Sequence, residues 1–138
     1  HEADLHLLVD GRRVDCHVRT GDRVSFRLPS GCRIVRIRSR SCIPAQFGEV
    51  RDPRRLGVAL RRVALWQGRA VTVVEADHPA LADGFYDYEP SEGHRWTDGD
   101  AGLPSFLFAG SSTAGELELS VVYARQYTVE RVQWDAVA

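Results

Sequence analysis

Lysine, methionine and asparagine are absent from all 138 residues. Each absence excludes something. Without lysine there is no Schiff-base chemistry and no phosphate-binding loop of the kind that ends in Gly-Lys-Ser or Gly-Lys-Thr. Without asparagine there is no N-linked glycosylation site. No run of 18 apolar residues occurs, so no membrane span is predicted, and no charged-then-apolar leader marks a signal peptide. A chain that opens on His1 and lacks methionine is expected to be a fragment of a longer one. Cysteine is scarce: Cys16, Cys32 and Cys42 are odd in number and widely spaced, with no Cys-x-x-Cys, so neither a disulfide framework nor a zinc site follows, and the redox compartment stays open.

Every basic residue is arginine, and these are unevenly placed. Residues 1–70 carry 15 arginines against 7 acids, whereas residues 71–138 carry 3 against 12. In one small domain the simpler meaning is that the two halves interleave and pair their charges across the surface, rather than forming a one-signed binding face.

The remaining pattern is that of a β protein. Leu5, Leu7 and Val9 alternate ahead of Asp10-Gly11, and Val14, Cys16 and Val18 alternate after it, which predicts a two-residue hairpin with both runs facing one side. Val24 to Leu28 reads as the next strand, followed by a turn at Pro29-Ser30-Gly31. Arg33 to Ser39 then buries Val35 and Ile37 and lines Arg36, Arg38 and Arg40 along the opposite face. With no aromatic residue among those arginines, a solvated strand face fits better than nucleic-acid binding, and no nucleic-acid partner is expected. Residues 41–55 read as an irregular connection. In LGVALRRVALW the inward parity slips by one residue at Arg61-Arg62, which predicts a β-bulge or a strand that passes between two sheets. Ala70 to Val74 reads as a short buried strand, Glu75 to Ala82 as a loop, Ser105 to Ala109 as a strand with Phe106 and Phe108 on one face, and Glu116 to Tyr123 as a strand with Leu117, Leu119, Val121 and Tyr123 inward. Tyr127 to Trp134 fits one more strand or a packed tail. Many short strands without a long amphipathic helix predict a single all-β domain over 1–138, an antiparallel β-sandwich of jelly-roll type with little or no helix.

Chemistry is harder to place. Eight acids lie between residues 75 and 100, namely Glu75, Asp77, Asp83, Asp87, Glu89, Glu92, Asp98 and Asp100. A glycoside hydrolase needs two carboxylates across a cleft, and nothing in this spacing selects a pair. Asp98-Gly99-Asp100 lacks the longer pattern of a calcium loop. Gly110-Ser111-Ser112-Thr113-Ala114 only approximates a nucleophile elbow, and the five histidines have no zinc spacing. No catalytic residue, metal or cofactor is therefore assigned, and no oligomeric state follows. The stretch from Gly84 to Leu103 concentrates aromatics among turn residues. Sugars present apolar faces edged with hydroxyls, so Tyr86, Tyr88 and Trp96 with Arg95, Asp98 and Asp100 form a candidate carbohydrate site. Trp96 has a competing reading as a core residue.

The motifs DLHLLVDGRRV, RIRSRSCIPAQ, RRLGVAL, GFYDYE and RWTDGDAGLP resemble, in that order, the segment that follows the Hedgehog/intein (Hint) domain in a group of alphaproteobacterial proteins. RRLGVAL, GFY and RWTDG are also similar to a β module appended to bacterial glycosyltransferases. The resemblance covers roughly residues 3–123 and assigns no catalytic residues. It implies a non-catalytic accessory or binding module in a bacterial protein, secreted or at the cell surface, with carbohydrate as the expected ligand. Alternatives are a structural companion to an upstream Hint domain and a glycan-acting enzyme using loop carboxylates. Self-processing does not carry over, since this chain begins with His1 and has no asparagine.

Overall fold

The computed structural model describes residues 3–44, 52–110 and 112–124. Ten strands follow in order: β1 (His6–Val9), β2 (Arg12–Val14), β3 (Val18–Thr20), β4 (Arg23–Leu28), β5 (Val35–Arg38), β6 (Val58–Gln67), β7 (Ala70–Glu75), β8 (Arg95–Trp96), β9 (Asp100–Gly102) and β10 (Gly115–Tyr123). They form two antiparallel sheets, a smaller one ordered β2-β1-β5-β9 and a larger one ordered β3-β4-β10-β6-β7, with β8 also paired to β6. No α-helix occurs among the described residues, so the expected all-β architecture is what the chain adopts.

Turn chemistry sets the first hairpin. Asp10 and Gly11 both have positive φ, 49° and 83°, which is the backbone that lets β1 and β2 close through two residues in register Val9 opposite Arg12. The Asp10 carboxylate then accepts the N–H groups of Arg33 and Ile34, tying the turn to the entrance of β5. The two-residue connections before β4 and β7 each place a positive-φ glycine first, Gly21 and Gly68.

Inward residues of both sheets meet in one core. The smaller sheet contributes Leu7, Val9, Val35, Ile37 and Ala101, and the larger contributes Val24, Phe26, Leu28, Val63, Leu65, Leu117 and Leu119. The slip near Arg61-Arg62 is a bulge. Ser120 lies opposite Arg62 while Val121 lies opposite Leu60, so Arg61 is the extra residue and Val58, Leu60, Val63 and Leu65 all point inward. At that point β6 also changes neighbours on one edge, from β8 to β7.

Three expectations fail for non-local reasons. Val14 and Cys16 pack on the core, but Val18 is 46% exposed, because the chain leaves the smaller sheet after β2 and Val18 pairs instead with Ser25 of the larger one. Ala70 to Val74 is a strand yet not a buried one: it lies at the end of its sheet and only Val74 reaches the core. Ser105–Leu107 is a single 3-10 turn rather than a strand. It is entered from Pro104 in an extended conformation, so Phe106 is exposed while Phe108 is buried. The proposed strand over Tyr127 to Trp134 lies outside the described residues, as does part of the connection after Ser41.

Candidate functional site

The aromatic stretch spans the two sheets at one end of the sandwich. Its outgoing and returning arms pair through Tyr86 N–H to the Trp96 carbonyl, 2.9 Å, and Asp98 N–H to the Gly84 carbonyl, 2.9 Å, with a turn over Glu89 to His94 between them. β8 joins the larger sheet through Ala59 opposite Trp96, and β9 joins the smaller through Ile37 opposite Ala101. Two residues hold this crossing in place. The buried Thr97 hydroxyl donates to the Val58 carbonyl at 2.9 Å and accepts from the Val58 N–H at 3.2 Å. Gly84 sits at φ 79° where an added Cβ would come within 2.1 Å of the Asp100 carbonyl, so only glycine fits.

The six predicted site residues are neighbours in chain but not in task. Trp96 is half-buried, packs on the core and meets His94 edge-on at 5.2 Å between ring centroids, as the core reading expects. Arg95 points its guanidinium at the Leu81 carbonyl. Asp98 is exposed, and its carboxylate accepts the Asp100 N–H at 2.9 Å, closing its own loop. Asp100 accepts from Arg36 Nε at 2.7 Å. Tyr86 and Tyr88 are half-buried. The Tyr86 hydroxyl donates to the Arg55 carbonyl at 2.9 Å, and the Arg54 guanidinium lies over the ring at 5.2 Å from its centroid, a cation–π contact.

Four of the eight acids between residues 75 and 100, Glu75, Asp83, Glu89 and Asp100, meet arginines. Arg36 also reaches Asp83 at 2.7 Å, Arg54 spans Asp52 at 2.6 Å and Glu89 at 3.2 Å, and Arg62 meets Glu75 at 2.9 Å. Hydrogen bonds from these arginines hold the Asp83 and Asp52 carboxyls below the usual carboxylate range, and Arg13 does the same to Asp4. The predicted pairing of the basic first half with the acidic second half is thus realised at Arg36, Arg54 and Arg62. His94 is buried with its Nε2 3.5 Å from Glu89 Oε1, an ion-pair distance rather than a hydrogen bond. Burial pushes the Cys42 thiol up to about 11 and raises Cys32 as well, which keeps both protonated. Among the described residues no three His, Cys, Asp or Glu side chains gather as a metal site, and no helix is long and apolar enough to cross a membrane. A shallow hollow of about 350 Å³ is lined by Gly31, Cys32, Arg33, Phe108, Gly110 and Ser112.

One surface was not singled out from sequence. On the outer face of the larger sheet, Trp66 lies opposite Val71 and Ala64 opposite Val73, with Trp66 41%, Val71 51% and Val73 42% exposed. The signal was present: once Leu65 is inward, Trp66 must be outward. The row is bounded by the Arg62–Glu75 ion pair on one side and by Glu116, which contacts His17, on the other. Compared with known protein families, with curated proteins and with solved structures, the chain matches none.

Proposed function

We propose that this domain is a non-catalytic module that works by surface contact, through the outer face of the larger sheet at β6 and β7. The observation that carries this reading is the row of Trp66, Val71 and Val73, large apolar side chains left open side by side on the outer face of β6 and β7. An accessory role beside a larger neighbour, which the motif resemblance implies, has the same requirement. Against a glycan-acting enzyme using the loop carboxylates stands their engagement by arginine: Arg36 bonds Asp83 and Asp100, Arg54 bonds Glu89, and the Asp83 carboxyl is held low, the opposite of the raised carboxyl that an acid catalyst needs.

Two measurements test this. Trp66→Gln should change unfolding free energy by no more than about 1 kcal/mol, since an outward ring contributes cross-strand contact but no core. A loss of about 3 kcal/mol or more would make the ring structural and remove the surface. Screening the protein for turnover of oligosaccharides should give none, and turnover abolished by Asp98→Asn or Asp87→Asn would restore the enzyme reading.

A second reading, carbohydrate recognition, rests on the Tyr86 ring, whose orientation is fixed by Arg54 and the Arg55 carbonyl beside half-buried Tyr88. A ring ordered in advance binds with less entropic cost. A glycan array at high protein concentration, repeated with Tyr86→Ala and Tyr88→Ala, decides it: loss of a sugar signal with the fold intact supports the site, and no signal in the parent protein rejects it.

A further inference from the structure

Building on the surface-contact reading, we propose that β7 is a self-docking edge. A second copy of this chain adds its own β7 antiparallel about a two-fold axis at Thr72, joining two larger sheets into one continuous sheet.

Strand β7 ends the larger sheet and pairs with β6 alone among the described residues. It also overhangs the sandwich: Ala70 and Thr72, which face the inner side, are exposed, and only Val74 is buried. An edge of this kind is normally blunted by charge, proline or a bulge. The other edges are blunted or covered, with Arg12 and Arg13 in β2, Arg19 in β3, and the Asp83 carbonyl accepting the Gly102 N–H along β9. From Ala70 to Val74, β7 has no charge and no proline.

Hydrogen-bond parity shows what the edge offers. The two-residue Gly68-Arg69 connection makes Gln67 and Ala70 the closing bonded pair, and bonded pairs then alternate. The Ala76 N–H reaching the Arg61 carbonyl at 3.1 Å confirms that even-numbered residues serve β6. The main-chain groups of Val71 and Val73 therefore point outward. The Glu75 carbonyl is already taken by the His78 N–H, so the pairing that best uses the free groups is centred on Thr72. There each Val71 exchanges both of its main-chain bonds with Val73 of the second copy.

Charge selects a second copy as the occupant. The neutral segment is preceded by Arg69 and followed by Glu75, so antiparallel pairing about Thr72 sets Arg69 across from Glu75 of the second copy at both ends. It also places β-branched Val71 across from Val73 and merges the two Trp66-Val71-Val73 rows into one apolar stripe across the junction.

The test uses the full 138-residue chain in a sedimentation equilibrium series. A reversible monomer–dimer equilibrium is expected, and Val73→Pro should weaken it by at least about tenfold with the thermal unfolding midpoint nearly unchanged, because that N–H does not serve β6. As an independent readout, Thr72→Cys places thiols facing each other across the axis in a non-hydrogen-bonded pair, a separation suited to a disulfide. It should form a covalent dimer on mild oxidation, whereas the parent protein and Ala70→Cys should not. This variant decides the matter if Val73→Pro fails to fold. A chain that stays monomeric to about millimolar concentration overturns the proposal. So does a dimer indifferent to Val73→Pro, or cross-linking favoured at Ala70. Dimerisation that appears only after truncation at Ala124 would assign the edge to residues 125–138 and equally overturn it. A monomer without turnover removes this inference alone, whereas oligosaccharide turnover removes the functional reading beneath it.

Discussion

The outward faces of the two sheets are finished differently. On the smaller sheet, Arg36 of β5 is bonded to Asp100 of the neighbouring β9 and to Asp83 just before the aromatic stretch, and Arg38 lies 3.9 Å from Asp100, so the charges on that face are paired. On the larger sheet, the far end of β6 and β7 presents Trp66, Val71 and Val73 with nothing laid over them among the described residues. Where a neighbouring strand and its flank supply acids, the arginines of the face are paired. At the far end of β6 and β7 the face stays apolar and open, and that asymmetry is the reason to look for contact at β7 rather than at the arginines.

The comparison breaks most severely at Gly84. Gly84→Ala should cost about 3–5 kcal/mol in chemical denaturation, because both the positive φ and the approach to the Asp100 backbone are lost to a side chain. Trp96→Ala should cost about 3 kcal/mol, toward the lower end for a core aromatic because the ring is half-buried. Trp66, on the open face, should lose far less; equal losses at the two tryptophans would erase the distinction between the faces. Arg36→Ala should cost about 1 kcal/mol, since it removes the hydrogen-bonding partner of Asp83 and one of the two arginines beside Asp100. The smallest effect is one of pH. Asp83 is lowered by the hydrogen bond from Arg36, so its contribution is complete above the ordinary carboxylate value of 3.8 and disappears as pH falls through the lower folded value. With the carboxylate largely exposed this amounts to no more than about 1 kcal/mol after screening. Acid titration of stability should show the parent and Arg36→Ala separated above that pH range and drawing together as pH falls through it if Asp83 is the group responsible.

Local features were legible in the sequence. Asp10-Gly11 dictates its turn through backbone sterics, and the Arg61 bulge is written in the parity of Val58, Leu60, Val63 and Leu65. What stayed hidden depended on the neighbours that a segment acquires. Ala70 to Val74 has the composition of an interior strand, and only its place at the end of the sheet exposes it. Phe106 and Phe108 alternate as a strand would, yet Pro104 leads them into a 3-10 turn that separates the two rings. In the candidate site, the charge asymmetry indicated that arginines and acids would meet. It did not reveal that Asp100 would belong to Arg36, or that Tyr86 would sit under Arg54, since those contacts join segments more than thirty residues apart.

The position of β10 bears on how such a chain is made. It is the central strand of the larger sheet, flanked by β4 and β6, yet it is the last strand in sequence among the described residues. During synthesis β4 and β6 emerge first and have no shared partner until Gly115–Tyr123 follows, so the sheet is completed late and through contacts of long sequence separation. A nascent chain halted before Gly115 carries two unpaired edges in place of a central strand, and it should be prone to aggregation even though almost every other strand has already been made.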